Sequence, residues 1–162
     1  MSADFEKIAD ITLGYEFGHW WPGIRAGFGR PIVPDVDWEI GSRDQRIALL
    51  RTTIWEAVDG PALPAPLALL VFDYAVMDGF ISAREVLHDT LGIRDVDSPL
   101  TLLISQVAQG ALPAICRRFQ ALALVRLVAT ELWKVAPVHC ANRLCGTLSI
   151  ASEWTLGETH VS

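Results

Sequence analysis

One carboxyl group stands out by its company. Glu16 lies in Gly14-Tyr15-Glu16-Phe17-Gly18-His19-Trp20-Trp21, with Tyr15, Phe17, Trp20 and Trp21 around it. Apolar rings exclude water from the charged form and raise a carboxyl pKa, the condition for a general acid near neutral pH. By residue type alone a Glu at a helix end is ordinarily a solvated surface group. Asp35, Asp37 and Glu39 follow in a loop, and cleavage of a glycosidic bond commonly needs a second carboxylate opposite the acid. Acids in loops are mostly just solvated, so proximity in sequence is their only argument. Aromatic faces suit the apolar CH face of a sugar while polar tips fix its hydroxyls. His19, Trp20, Trp21, Trp55 and Tyr74 are therefore candidate sugar contacts, with core packing the ordinary role of Trp55 and Tyr74.

Other chemistries fit less well. Cys116, His139, Cys140 and Cys145 are the residue types of a zinc site, but adjacent His139 and Cys140 do not easily face one tetrahedral ion. The Cys140-to-Cys145 gap is also longer than the usual ligand pair. Three cysteines, an odd number, fit reduced thiols in a cytoplasmic protein, and no metal or other cofactor is expected. No G-x-S-x-G nucleophile motif occurs, and Gly27-Phe28-Gly29 lacks the strand-turn-helix setting of a phosphate loop.

The elements that must carry these residues are helices, since no stretch alternates at period two. Phe5, Ile8, Ala9, Thr12 and Tyr15 form one stripe, with Ser2 or Asp4 as cap and Gly14 and Gly18 loosening its end. From Pro22 to Gly41, glycines and prolines rule out a long helix and predict a loop or a small hairpin. Helical spacing returns after Ser42 and stops at Asp59-Gly60-Pro61. The segment 66–78 is apolar on nearly all sides, which predicts the central buried helix. Ser82 and Glu85 have capping-box spacing, Gly92 suits a helix C-terminus, and Ser98-Pro99 opens a helix carrying Leu103, Ile104 and Val107. A long helix is expected from Ile115 to Pro137, then a short one over 141–150. A polar tail frays from Ser152, with Trp154 as its one docking residue.

Composition narrows the classes. The 162 residues are 51% hydrophobic and carry 13 basic against 19 acidic side chains, a net charge of −6. With a mean hydropathy of +0.33 this excludes disorder for the bulk of the chain, and the length suits one domain. Without a Lys/Arg cluster, nucleic acid is not an expected partner. The opening MSADFEKIAD has acids and no apolar core behind a basic flank, so no secretory signal is expected. The most apolar stretch, Ala62 to Phe80, is interrupted by Pro64, Pro66, Asp73 and Asp78, so membrane insertion is not expected.

Several of these segments together resemble the glycoside hydrolase family 108 muramidases of phages and bacteria. In that family a first helix ends in Glu-Gly-Gly, whose Glu is the catalytic acid, and Leu13-Gly14-Tyr15-Glu16-Phe17-Gly18 is similar to it with Phe17 at the first glycine. The family then carries a Trp, a Leu-Pro element and Phe-Asp-x-Ala-Val-Asn-x-Gly on a central helix. Here stand Ile54-Trp55, Ala62-Leu63-Pro64 and Phe72-Asp73-Tyr74-Ala75-Val76-Met77-Asp78-Gly79, followed by Ala83 and Leu91-Gly92. Ser98-Pro99-Leu100-Thr101 resembles the Gly-Pro-x-Thr turn of the family's peptidoglycan-binding portion, and Asn142-Arg143 its late Asn-Arg. Two departures bear on the site. The family's Asp-Pro-Gly-Gly-x-Thr after the catalytic Glu is replaced by Trp20-Trp21-Pro22-Gly23 and the loop to Gly41, and the family Asn is Met77.

The resemblance implies a mainly α, lysozyme-like single domain over 1–162. Its catalytic portion would span 1–60 and its helical, peptidoglycan-binding-like portion 61–155, with segment 22–41 walling a cleft beside the end of the first helix. It implies hydrolysis of the N-acetylmuramic acid to N-acetylglucosamine bond of peptidoglycan with Glu16 as acid. Asp35, Asp37 or a non-carboxylate group would activate the water. It further implies an endolysin that stays cytoplasmic until a holin releases it to the periplasmic wall. The departures leave one alternative, an inactive lysozyme-like protein that binds glycan or a protein partner.

Overall fold

A helix that is apolar on every side has to be surrounded, and the arrangement of the chain follows from that requirement. The computed structural model describes residues 4–18, 42–93 and 111–158. These residues form helices α1 (Phe5–Gly18), α2 (Arg43–Leu50), α3 (Ala65–Asp78), α4 (Phe80–Leu91), α5 (Leu112–Val128), α6 (Glu131–Val135) and α7 (Pro137–Glu158). A π-helical turn, Arg51–Trp55, continues α2, and a 3-10 turn, Gly60–Ala62, leads into α3. No strand occurs among the described residues, and the fold is all-α. The segment 22–41 and the helix expected around Leu103 lie outside the described residues.

α3 is the hub. Every residue from Pro66 to Val76 is buried, and α1, α4, α5 and α7 all pack on it. Pro66 occupies the first turn, where a missing N–H costs nothing, and Gly79 ends the helix at φ +92°, a conformation glycine adopts readily. One hydrophobic cluster runs from Phe5 in α1 through Trp55 and Phe72 to Ala151 in α7, without a break at residue 60. Because Leu70 is 1% exposed in this hub, Leu70→Ala should destabilise the fold by about 2–5 kcal/mol through lost transfer energy and a cavity. Urea denaturation measures this directly. A loss below about 1 kcal/mol would place α3 at the periphery.

The termini of the helices show where sequence reading needs correction. Asp4 caps α1, its Oδ1 accepting from the backbone N–H groups of Glu6 (3.1 Å) and Lys7 (3.4 Å). A capping box does occur, but at α2: Ser42 Oγ accepts from Gln45 N at 3.3 Å while Gln45 Oε1 accepts from Ser42 N at 2.8 Å. Ser82 is not a cap. Gly79 breaks the chain earlier, α4 starts at Phe80, and the Ser82 hydroxyl donates to Asp78 Oδ2 at 2.6 Å. Gly92 ends α4 in the left-handed region as expected, at φ +71°.

The helix expected to run unbroken to Pro137 stops at Val128. Thr130 adopts an extended conformation and accepts from Trp133 N at 3.3 Å, so its hydroxyl caps α6 instead of continuing α5. The last helix is much longer than 141–150 and stays helical as far as Glu158 in the polar tail. Ser152 and Thr155 return their hydroxyls to the carbonyls of Leu148 and Ser152, at 2.8 and 2.7 Å. Ala151 and Thr155 are buried. Trp154 docks, partly buried against the core, with the Lys7 ammonium 4.6 Å from its ring centroid.

Surface ion pairs stitch neighbouring helices. Arg43 of α2 meets Asp10 of α1, and Arg126 of α5 meets both Glu85 and Asp89 of α4. At this exposure such pairs contribute to orientation more than to stability.

Candidate active site

The last turn of α1 carries Tyr15 and the Glu16 backbone, and two buried charges lie where α1 meets α3 and α7. Asp73 is the one acid in the wholly buried run of α3. Arg143 of α7 grips it: Nε donates to Oδ1 and Oδ2 at 3.0 and 3.1 Å, and Nη2 donates to Oδ1 at 2.9 Å. The two side chains are 1% and 2% exposed. A carboxylate carried into an apolar core has to be met by a cation in good geometry, and a guanidinium fork supplies it.

Tyr15 reaches toward this pair. Burial raises the pKa of its phenol, the Asp73 carboxylate raises it further, and the Arg143 guanidinium opposes both. The Tyr15 hydroxyl sits against the backbone of α7 at Gly146, in the space a Cβ would fill there. Any side chain at position 146 would run into it, so this glycine is what lets the two helices approach.

A second polar network closes the other end of α3. The Tyr74 hydroxyl donates to Asp78 Oδ2 at 2.8 Å, and the same oxygen receives the Ser82 hydroxyl. Burial is the main reason the Tyr74 phenol is pushed far above its ordinary range. Its ring is 0% exposed and packs edge-on against Phe119, with centroids 6.1 Å apart.

Trp55 is 3% exposed, wedged between Phe5 and Phe72 at 5.2 and 5.8 Å and lying flat over Gly60. Neither ring offers a face to a sugar, which corrects the expectation that Trp55 and Tyr74 contact substrate. The Glu16 backbone is helical, and its side chain lies outside the described residues, as do His19, Trp20, Trp21, Asp35, Asp37 and Glu39.

The three cysteines are free thiols, Cys116 and Cys140 buried and Cys145 exposed. Among the described residues no three His, Cys, Asp or Glu side chains converge as metal ligands would. Burial pushes the Cys116 thiol up to about 12 and raises that of Cys140. The thiolate is the reactive species, so at pH 8 an alkylating probe should modify Cys145 alone in the native protein and all three cysteines after unfolding. Mass spectrometry counts the adducts, and fast native labelling of Cys116 would contradict the packing around α5. No helix among the described residues is long and apolar enough to cross a membrane.

Asp73 and Arg143 were visible in the sequence only as parts of motifs. The signal that could have joined them is the single acid within the apolar run 66–76, which demands a cation from another helix.

No protein family and no curated protein matches the chain in sequence. Among solved structures, Brucella abortus SagA is similar, with a TM-score of 0.65 at 19% identity over 89% of this chain and 76% of that one. At that identity the likeness is one of fold.

Proposed function

We propose that this protein is a peptidoglycan hydrolase of the muramidase kind, cleaving the bond between N-acetylmuramic acid and N-acetylglucosamine. One observation carries the reading. Three of the segments that resemble the family are far apart in sequence, yet Tyr15, Asp73 and Arg143, one from each, come together where the last turn of α1 packs on α3 and α7. Helix packing alone does not require motif residues to gather there. Their meeting under the turn whose backbone carries Glu16 supports a site built on that turn.

In this reading Glu16 protonates the leaving glycosidic oxygen. A water activated by Asp35 or Asp37, or by a non-carboxylate group, attacks the anomeric carbon, and its proton passes to the activating group. His19, Trp20 and Trp21 contact the sugar. The enzyme needs no cofactor, is held in the cytoplasm until a holin opens the route, and acts on the periplasmic wall.

The replacement of the family's Asn by Met77, partly buried against the core, favours a second reading as an inactive wall-binding protein. The turbidity of chloroform-treated Gram-negative cells, followed with wild type and Glu16→Gln, separates the two. Clearing by wild type alone supports the hydrolase. No clearing by either, with retention of both on sedimented peptidoglycan, supports the binding protein.

A further inference from the structure

We infer that Tyr15 is a positioning residue for Glu16, seated by the notch at Gly146 and by the Asp73–Arg143 pair so that the last turn of α1 is held at one fixed rotation. The inference rests on the hydrolase reading for its catalytic meaning, but its structural content can be tested separately.

Successive residues of an α-helix depart from the axis about 100° apart. Whatever pins the side chain of Tyr15 therefore fixes the rotation of the helical backbone that continues through Glu16. The pin has two parts. Gly146 provides room for the hydroxyl against the α7 backbone, with the ring Cζ only 2.9 Å from where a Cβ would stand. Arg143 stands three residues before Gly146 on the same helix, so the buried Asp73–Arg143 pair lies one turn from the seat of the Tyr15 hydroxyl.

Gly14, one residue before, has nothing within 4 Å of a Cβ position, so α1 is not crowded all round here. The restraint is specific to the Tyr15 face. Gly14 and Gly18 leave this turn with little helical preference of its own, so an external seat has something to do.

The test fills the notch. Gly146→Ala should displace the Tyr15 ring and with it the last turn, lowering lytic activity at least about tenfold, since a misplacement of about 1 Å suffices for that. Tyr15→Phe/Gly146→Ala removes the hydroxyl, the severest clash, and leaves only the ring Cζ at 2.9 Å to give way, so it should recover part of the lost activity. Gly14→Ala makes the same change where there is space and serves as control. A readout independent of lysis is the carboxyl 13C resonance of Glu16 followed through a pH titration. It should shift in Gly146→Ala, return toward wild type in the double variant, and stay put in Gly14→Ala.

An unchanged Glu16 titration in folded Gly146→Ala, or a double variant no better than the single, overturns the inference. Should Gly146→Ala fail to fold, Tyr15→Leu vacates the notch instead, and a Glu16 titration identical to wild type there overturns it equally. Wild type that clears no cells refutes the hydrolase reading, while the titration still decides whether Tyr15 sets Glu16.

Discussion

Glu16→Gln is expected to lower wall-lytic activity by at least ~10²-fold while the melting temperature stays nearly unchanged. Gln has almost the same shape as Glu and can still accept and donate hydrogen bonds, but it has no acidic proton to give to a leaving oxygen. The last turn of α1 stays seated through Tyr15, which the substitution leaves alone. Loss of rate without loss of fold is therefore the signature of the proton donor. A parallel drop in melting temperature would mean that Glu16 supports structure, and equal lysis by both proteins would remove it from the reaction. Turbidity clearance and thermal unfolding on the same preparations give both quantities.

The helices that were legible are those whose burial is recorded in large apolar side chains. α3 is the clearest case, since Leu67, Leu69, Leu70, Phe72 and Val76 lie on different sides of one helix and leave it no solvent face. The helix expected to reach Asp59 ends at Trp55, four residues early, and a turn leads on to Asp59 in the left-handed region at φ +54°. α7 was hard to read for the opposite reason. Its inward positions, Cys140, Arg143, Leu144, Thr147 and Ala151, keep helical spacing but are mostly small or polar, so no apolar stripe reveals them. The hidden partners are polar: Gln120 of α5 donates to the Leu144 carbonyl and, at 3.3 Å, to Thr147 Oγ1. A helix held by a buried network rather than by hydrophobes has no hydrophobic period to read.

The site divides in the same way. Helix α1 and the placement of Glu16 on its last turn followed from the stripe of Phe5, Ile8, Ala9 and Thr12, all of which are buried. For Trp55 and Tyr74 residue type favoured the core without deciding it, because an aromatic side chain can also serve a sugar. Only neighbours decide, and Phe5, Phe72 and Phe119 decide for the core. The junction of Tyr15, Asp73, Arg143 and Gly146 joins four positions from three helices, and no local pattern encodes such a meeting.

That junction also sets the largest stability effect. Arg143→Met should cost about 3–5 kcal/mol, because it removes the guanidinium that meets both oxygens of a carboxylate 1% exposed in the core. The double change Asp73→Leu/Arg143→Met removes the buried charges together and should regain most of that loss, since an apolar pair of similar volume is often as stable as an ion pair. The resulting double-mutant cycle gives a large coupling energy if the pair acts as a unit. Additive losses, or an Arg143→Met cost below about 1 kcal/mol, would show that Asp73 does not depend on Arg143. The double variant carries a second consequence that stability alone cannot produce. It restores the core without restoring the charged seat beside Tyr15, so its unfolding free energy should approach wild type while its lytic activity stays low. A variant that is stable yet slow would explain why α3 keeps an acid among eleven consecutive buried positions: the pair holds the end of α1 in place, and the core tolerates it for that purpose.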